Sequence, residues 1–197
     1  MLSSIPVQAA HRKFNSCSVL PAPLLNKKEA SFTLKAIGNA GRPASAEHVL
    51  LRCALNLDAP VNMSIAALEA LRRLPCNNHT TEQLLKIYGE HDLDVEIRIA
   101  AYLALMKCPS PSVFKQVAKI LNDEVNNQVG SFVWSHMTNA MDSTEPVHGL
   151  PQAEMMKDAL NGMKLREFNL NRLKFSRAWE GSFYSGRFVS SGHALQL

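Results

Sequence analysis

The stretch IRIAAYLALMKC, residues 97–108, decides the fold, because it is apolar on nearly every side of the helix that its composition predicts. A surface helix carries its apolar residues on one stripe, so a helix of this kind is expected to be buried on both sides. Its small residues Ala100, Ala101 and Ala104 permit close approach of neighbouring helices. The stretch therefore predicts a helix with packed partners around it.

A four-residue pattern inside this stretch recurs along the chain. Its copies are LKAI at 34–37, LEAL at 68–71, YLAL at 102–105 and VWSH at 133–136, so the offsets are 34, 34 and 31 residues (34→68→102→133). Prolines follow the first three copies, at Pro43, Pro75 and Pro109, and proline stops a helix because it lacks an N–H and clashes with the preceding turn. A period of this length indicates a repeat of helical units.

A second helical segment is predicted between successive copies of the pattern. The first of these segments has apolar residues at helical spacing, namely Ala46, Val49, Leu50, Cys53 and Leu57. Residues 80–82 (TTE) are expected to begin the next one, and Ser112 to cap the one after it. Two helices per 31–34 residues, stacked about four times, predict a mostly α fold, a superhelical α-solenoid of paired antiparallel helices.

The pattern changes near the C-terminus. Residues 152–163 are expected to form one more helix, and from Phe175 the period becomes two, which predicts the start of a β-strand. One strand cannot stand alone, so it pairs with another chain or the sequence is a piece of something longer. The expected organisation has three parts: a divergent or poorly ordered segment at 1–24, an α-helical repeat domain at 25–172 and the truncated start of a β-sheet region at 173–197.

The composition excludes several classes of protein. A chain of 197 residues with 46% apolar residues is ordinary for a folded protein, and no apolar run approaches the roughly 18 residues of a transmembrane helix. The apolar residues 5–10 are interrupted by Pro6 and Gln8, so no signal peptide is expected in this chain. A net charge of +4 is mild, and no nucleic-acid partner is expected.

His136 is the residue that most resembles a ligand or a catalyst. It shares one helical stripe with Phe132 and Val133, and no second ligand or carboxylate lies near it in sequence, so a buried, hydrogen-bonded histidine is expected. The glycines of residues 38–41 (GNAG) fit a turn at the end of a helix, because glycine tolerates φ > 0. No catalytic residue, metal or cofactor is expected, and the chain is predicted not to be an enzyme.

The cysteines and two sequons bear on the cellular compartment. Cys17, Cys53, Cys76 and Cys108 lie far apart without metal-ligand spacing, and they fit two disulfides or four buried thiols equally well. The sequons at Asn62 and Asn78 both satisfy N-x-[ST] and lie at predicted helix starts, where the side chains would be exposed. Exposed sequons favour a secretory, glycosylated chain.

Five stretches together resemble the large lipid-transfer protein family, which includes insect apolipophorin precursors, apolipoprotein B and the vitellogenins. They are TLKAIGNAGRPAS (33–45), AALEALRRLPC (66–76), EIRIAAYLALMKCPSPSV (96–113), NQVGSFVWSHMTN (127–139) and KFSRAWEGSFYS (174–185). The resemblance implies the later part of a horseshoe of paired helices that wraps around β-sheets lining a lipid cavity. It also implies a secreted parent protein, of which this chain is a fragment.

The resemblance implies a disulfide between Cys17 and Cys53. Cys76 and Cys108 follow equivalent helices of adjacent repeats, 32 residues apart, and a second bridge between them is a hypothesis. The expected function is lipid transport, in which these helices brace the lipid-binding module. The expected partners are phospholipid and neutral lipid, bound through the sheets of the parent protein, and the remaining parts of that lipoprotein; no residue here is assigned to lipid. The alternative is a helical-repeat scaffold that binds another protein without lipid.

Overall fold

The computed structural model describes residues 27–40, 44–56, 59–143, 149–168, 180–185 and 188–193. Within these ranges the chain is mostly helical, as the sequence predicts. The helices are α1 (Lys27–Ala40), α2 (Ala44–Ala54), α3 (Val61–Leu71), α4 (Asn78–Gly89), α5 (Val95–Met106), α6 (Pro111–Asp123), α7 (Asn127–Met141) and α8 (Gly149–Ala159).

Two short strands follow the helices. Strands β1 (Glu180–Ser185) and β2 (Phe188–His193) pair antiparallel, with Glu180 opposite His193 and Ser185 opposite Phe188. The strand start predicted at Phe175 lies outside the described residues, as does the segment 1–24.

The helices lie in two rows. In one row α1 contacts α3, α3 contacts α5, and α5 contacts α7; in the other α2 contacts α4, α4 contacts α6, and α6 contacts α8. The rows pack together through α2 on α3, α4 on α5, and α6 and α8 on α7. The copies of the repeated pattern lie in α1, α3, α5 and α7, and their first residues, Leu34, Leu68, Tyr102 and Val133, are all buried. The repeat therefore identifies the helices of one row and their buried side.

A single apolar core runs through both rows, from Leu34 in α1 to Phe168 beyond α8. Helix α5 lies in its interior, and the burial of α5 that the sequence predicts is confirmed. Ile97, Ile99, Tyr102 and Leu105 are all buried, although they point to different sides of the helix. A helix pair is too small to bury its own apolar face, so the neighbouring helices bury it by stacking on it.

Three helices begin earlier than the sequence predicts: α4, α6 and α8, the last of which runs over Gly149–Ala159 instead of 152–163. Helix α4 begins at Asn78, because the side chain of Asn77 accepts a hydrogen bond from the Thr80 amide at 2.8 Å. Helix α6 is capped by Ser110, whose hydroxyl accepts from the Val113 amide at 3.2 Å, so the prediction that Ser112 is the cap is wrong. Proline suits the first position of a helix, where an N–H has no partner to bond, and Pro111 therefore sets this start.

The prediction that the glycines of residues 38–41 lie in a turn at the end of a helix is wrong for Gly38. Gly38 lies inside α1, and among the described residues the glycine with positive φ is Gly162, at 78°. A Cβ on Gly38 would lie 2.7 Å from Ala70 Cα, a distance that such atoms do not tolerate. The glycine is therefore required by the close crossing of α1 and α3, while Gly41 lies outside the described residues.

Candidate functional site

His136 is buried and hydrogen-bonded, which confirms the sequence prediction. It is 3% exposed, and its Nδ1 lies 2.7 Å from the hydroxyl oxygen of Tyr102 on the neighbouring helix α5. The two rings meet edge to face at 5.4 Å between centroids, and the Phe132 ring stacks on the imidazole at 6.4 Å. This geometry joins α5 to α7 and explains the crowding of aromatic groups in residues 127–139 as packing.

A buried ion pair between Arg98 and Glu124 is the strongest polar feature of the core. The two residues are 1% and 0% exposed, and both terminal nitrogens of the guanidinium donate to the carboxylate oxygens, Nη1 to Oε1 at 3.3 Å and Nη2 to Oε2. Arg98 Nε also donates to the Tyr88 carbonyl at 2.9 Å. The Asn126 amide donates to Glu124 Oε1 at 2.7 Å. The pair thus ties α5 to the end of α4 and to the turn between α6 and α7.

This pair is not predictable from helical spacing, although one signal of it is present in the sequence. Arg98 lies within a mostly apolar helix, and a buried charge is stable only when it is paired and hydrogen-bonded. That rule predicts a carboxylate partner for Arg98. It does not say which one, because Glu124 lies 26 residues further along, beyond the next helix.

Tyr88 lies beside this pair. Its side chain is fully buried, its ring lies 5.7 Å from that of Tyr102, and its hydroxyl has no hydrogen-bond partner within the described part of the chain. Burial raises the pKa of the Tyr88 phenol far above its usual value, and the charge of Glu124 raises it further. Both effects favour the neutral, protonated hydroxyl.

A second polar cluster joins α2 to α4. The Glu47 carboxylate accepts hydrogen bonds from Asn77 Nδ2 at 2.6 Å and from the Thr80 hydroxyl. Partial burial raises the pKa of Glu47, but the hydrogen bonds from Thr80 and Asn77 and the nearby His79 lower it by more, so the net shift is downward. An ionised carboxylate at the start of α4 also suits the partial positive charge of a helix N-terminus.

Three of the predicted disulfide cysteines lie in the described residues, and all three are bonded. Cys76, after α3, and Cys108, after α5, form a disulfide with 5.6 Å between their Cα atoms. Cys53 is also disulfide-bonded and is fully buried. Its predicted partner Cys17 lies outside the described residues. The Cys76–Cys108 bridge connects two neighbouring members of one helix row.

The predicted glycosylation sites are placed at helix starts. Asn62 is the second residue of α3 and Asn78 the first of α4, and both side chains are exposed. The hydroxyl residues of the two sequons are buried, since Ser64 is 1% and Thr80 9% exposed. Attachment of glycans stays a prediction.

A cavity of about 10 Å³ lies beside the Cys76–Cys108 bridge, lined in part by Leu74, Thr80 and Ala104, and such a volume holds at most one water molecule. Within the described ranges, no three His, Cys, Asp or Glu side chains converge as a metal site. None of the described helices combines the length and the apolarity required to cross a bilayer.

Two rows of helices that share one core, tied by a buried ion pair and a disulfide, define a helical module in the described residues. A family model, the vitellogenin TPR domain, matches residues 25–138. The chain therefore belongs to the family of vitellogenin TPR domains.

Individual relatives agree with this assignment. The apolipophorins of Locusta migratoria are 34% identical over 159 residues, which are 80% of this chain and 5% of that protein. Apolipoprotein B-100 of Rattus norvegicus is 33% identical over 75% of this chain and 3% of its own length, and a vitellogenin of Penaeus merguiensis is 27% identical over 91% and 7%. The chain thus spans only a small part of the curated relatives it matches.

The fold is also shared with a solved structure. "Lipid-protein interactions in lipovitellin" matches with a TM-score of 0.66 and 24% identity, over 90% of this chain and 18% of that chain.

Proposed function

We propose that this chain braces the lipid-binding module of a secreted, lipid-carrying protein and performs no bond chemistry itself. Its helices would form part of a superhelical solenoid, and lipid would bind to other parts of the parent protein. The observation that carries the proposal is the single core shared by both helix rows, in which the apolar side chains of the helices are used for contacts with one another. A lipid site, in contrast, needs an apolar cavity of roughly 300 Å³ or more.

The face of the odd-numbered row suggests where the rest of the parent protein would lie. The second residue of the repeated pattern is Lys35 in α1 and Glu69 in α3, and these exposed side chains form an ion pair at 3.8 Å. In α5 and α7 the same position is Leu103 and Trp134, which are half-buried and pack partly on the core. The row therefore changes from a charged to an apolar face towards α7, the helix that β1 contacts. An apolar face next to a strand favours a role in which the helices hold a sheet in place.

The membership of apolipophorins, apolipoprotein B-100 and vitellogenins among the relatives supports lipid transport as the process. Disulfides in the helical rows and exposed sequon asparagines support an extracellular parent protein. Phospholipid and neutral lipid are the proposed cargo of that parent.

The test compares the 197-residue chain with its longer parent protein, both purified from a secreting eukaryotic host. Lipids are extracted and quantified by mass spectrometry. We expect the parent to carry phospholipid and neutral lipid and the chain alone to carry none in stoichiometric amount. Stoichiometric lipid on the chain alone would contradict the bracing role. A parent that lacks lipid but binds a protein partner would support the alternative, a helical-repeat scaffold.

A further inference from the structure

Residues 164–168 (KLREF), here called the strap, leave the last helix and lie across the turn between α6 and α7. The side chain of Asn122, in α6, holds the strap backbone at two points. Its Nδ2 donates to the Lys164 carbonyl at 3.1 Å, and its Oδ1 accepts from the Arg166 amide at 2.8 Å. Because one amide group bonds both an acceptor and a donor of the same segment, it sets the register of the strap on the turn.

Two side chains of the strap anchor it. The Arg166 guanidinium donates from Nη1 to the Glu124 carbonyl at 2.6 Å and lies 5.1 Å from the centre of the Phe168 ring. Phe168 is 7% exposed and packs on α7 at Gly130. A Cβ at Gly130 would overlap that ring. Glycine in the middle of a helix is unfavourable, and Gly130 is explained by the Phe168 ring, which occupies the space that a side chain would need.

The strap is bound much less extensively than the helices beneath it. Phe168 is its buried residue and Leu165 is half-buried, whereas Lys164, Arg166 and Glu167 are exposed. Both hydrogen bonds to Asn122 lie at the surface. Segments with few buried contacts and exposed hydrogen bonds open at a lower free energy than the core.

We propose that Asn122, the Glu124 carbonyl and Gly130 form a peptide-binding site for an extended segment bearing Arg-x-Phe, and that the strap of the same chain occupies this site reversibly. Release of the strap uncovers Asn122, the Glu124 carbonyl and Gly130 while the helices that carry them remain folded. The site requires an amide at 122, an acceptor at 124 and the absence of a side chain at 130. It does not depend on the proposed function in lipid transport.

The first experiment measures opening of the strap by hydrogen exchange in the full chain, with NMR readout at the Arg166 amide. We expect this amide to exchange faster than amides at the centre of α5, and Phe168→Ala to accelerate it by about tenfold or more, because the variant loses the burial of one aromatic ring. Phe32→Ala is the matched control, since Phe32 is 72% exposed, and should change neither rate. If Arg166 and α5 always exchange at one common rate, the strap opens only on global unfolding and the proposal is overturned.

The second experiment tests the site directly with a labelled peptide of residues 160–170, added to the Phe168→Ala chain or, should that variant fold poorly, to Arg166→Ala. Fluorescence anisotropy should show saturable binding, weakened by about tenfold or more when the peptide carries R166A and F168A together. Gly130→Ala, introduced into the same chain, should abolish binding because the new Cβ fills the ring's seat. Equal affinity of the native and substituted peptides, or no binding of the native peptide, would refute the site.

Discussion

The guanidinium of Arg98 in α5 and the carboxylate of Glu124 beyond α6 form a bidentate ion pair, and both side chains are buried. Arg98 is 1% exposed and Glu124 is not exposed at all. The pair also holds the Tyr88 carbonyl and the Asn126 amide, so α5, the end of α4 and the turn between α6 and α7 meet at one point. Such a pair specifies which segments meet, because each group is costly when its partner is missing.

Removal of one charge of this pair should destabilise the protein strongly. We expect Arg98→Ala to lower the free energy of unfolding by about 3–5 kcal/mol, because Glu124 would be left buried without its counter-ion. The combined variant Arg98→Met, Glu124→Leu should recover much of this loss. Urea denaturation followed by circular dichroism measures both. Arg73 is exposed, so Arg73→Ala serves as the control and should change stability by less than about 0.5 kcal/mol. A similar loss of stability in Arg98→Ala and Arg73→Ala would contradict the importance of the buried pair.

The two buried tyrosines should respond differently to loss of their hydroxyls. Tyr102→Phe removes the hydrogen bond to His136 and should cost about 1–3 kcal/mol, since the imidazole nitrogen stays buried. Tyr88→Phe should be neutral or stabilising, because that hydroxyl is buried without a partner among the described residues. Thermal and urea unfolding of the two variants form a matched comparison. Equal destabilisation by both would show that the Tyr102–His136 bond contributes nothing specific.

Gly38→Ala should destabilise the contact between α1 and α3. The new Cβ would meet the Ala70 backbone at 2.7 Å, and backbone cannot give way cheaply. We expect a net loss of about 1–3 kcal/mol, although alanine favours a helix over glycine. Gly89→Ala is the control, because the nearest atom to its Cβ is the mobile end of Ile120 at 3.4 Å, and it should be close to neutral. Calorimetry of the two variants separates the steric cost from helix propensity.

The Cys76–Cys108 bridge should be reduced before the disulfide of Cys53. Cys76 is exposed, whereas Cys53 is fully buried. Mild reductant on the folded chain, followed by alkylation and mass mapping, should label Cys76 and Cys108 first. Replacement of both by serine should cost about 2–4 kcal/mol, the usual contribution of a disulfide to stability. Simultaneous labelling of all three cysteines in the folded chain would be inconsistent with the burial of Cys53.

Glu47 should add a pH-dependent component to stability. Its pKa is lowered in the folded protein from an ordinary value of 4.5, so the folded state favours the ionised form. The resulting stabilisation is fully present above the unfolded-state pKa and is lost as the pH falls through the lower, folded-state pKa. We expect Glu47→Gln to be less stable than the parent at pH 7, and the difference in stability to close only as the pH falls below the ordinary carboxyl pKa of 4.5. Parallel urea titrations across this pH range give the answer, and a gap that widens in acid would reverse the sign of the assigned shift.

Hydrophobic spacing was sufficient to predict the helices and their buried sides. The repeated pattern placed Leu34, Leu68, Tyr102 and Val133 on the core side, because burial on a helix follows its 3.6-residue period. It also predicted a buried His136. These properties depend on residues close together in sequence.

Contacts between distant segments were not predictable in the same way. The partner of Arg98, the absence of side chains at Gly38 and Gly130, and the seat of Phe168 all depend on how separate helices cross. A sequence shows that a residue is unusual, such as an arginine in an apolar helix, but not which distant group accommodates it. The prediction of the helix starts at Asn78 and Pro111 was wrong for a local reason. Several polar residues near each start could act as the cap, and the sequence does not say which one does.

The Thr80 hydroxyl belongs to the sequon of Asn78 and also to the contact between α2 and α4, and it cannot serve both at once. In the folded protein it donates to Glu47 and lies in the contact between α2 and α4, and Ser64 of the other sequon is buried too. A glycosyltransferase that recognises these hydroxyls must therefore reach them before the helices pack. Any sugar found on Asn78 would have been attached while α4 was still apart from α2, so occupancy at this asparagine would report how late the two helices come together.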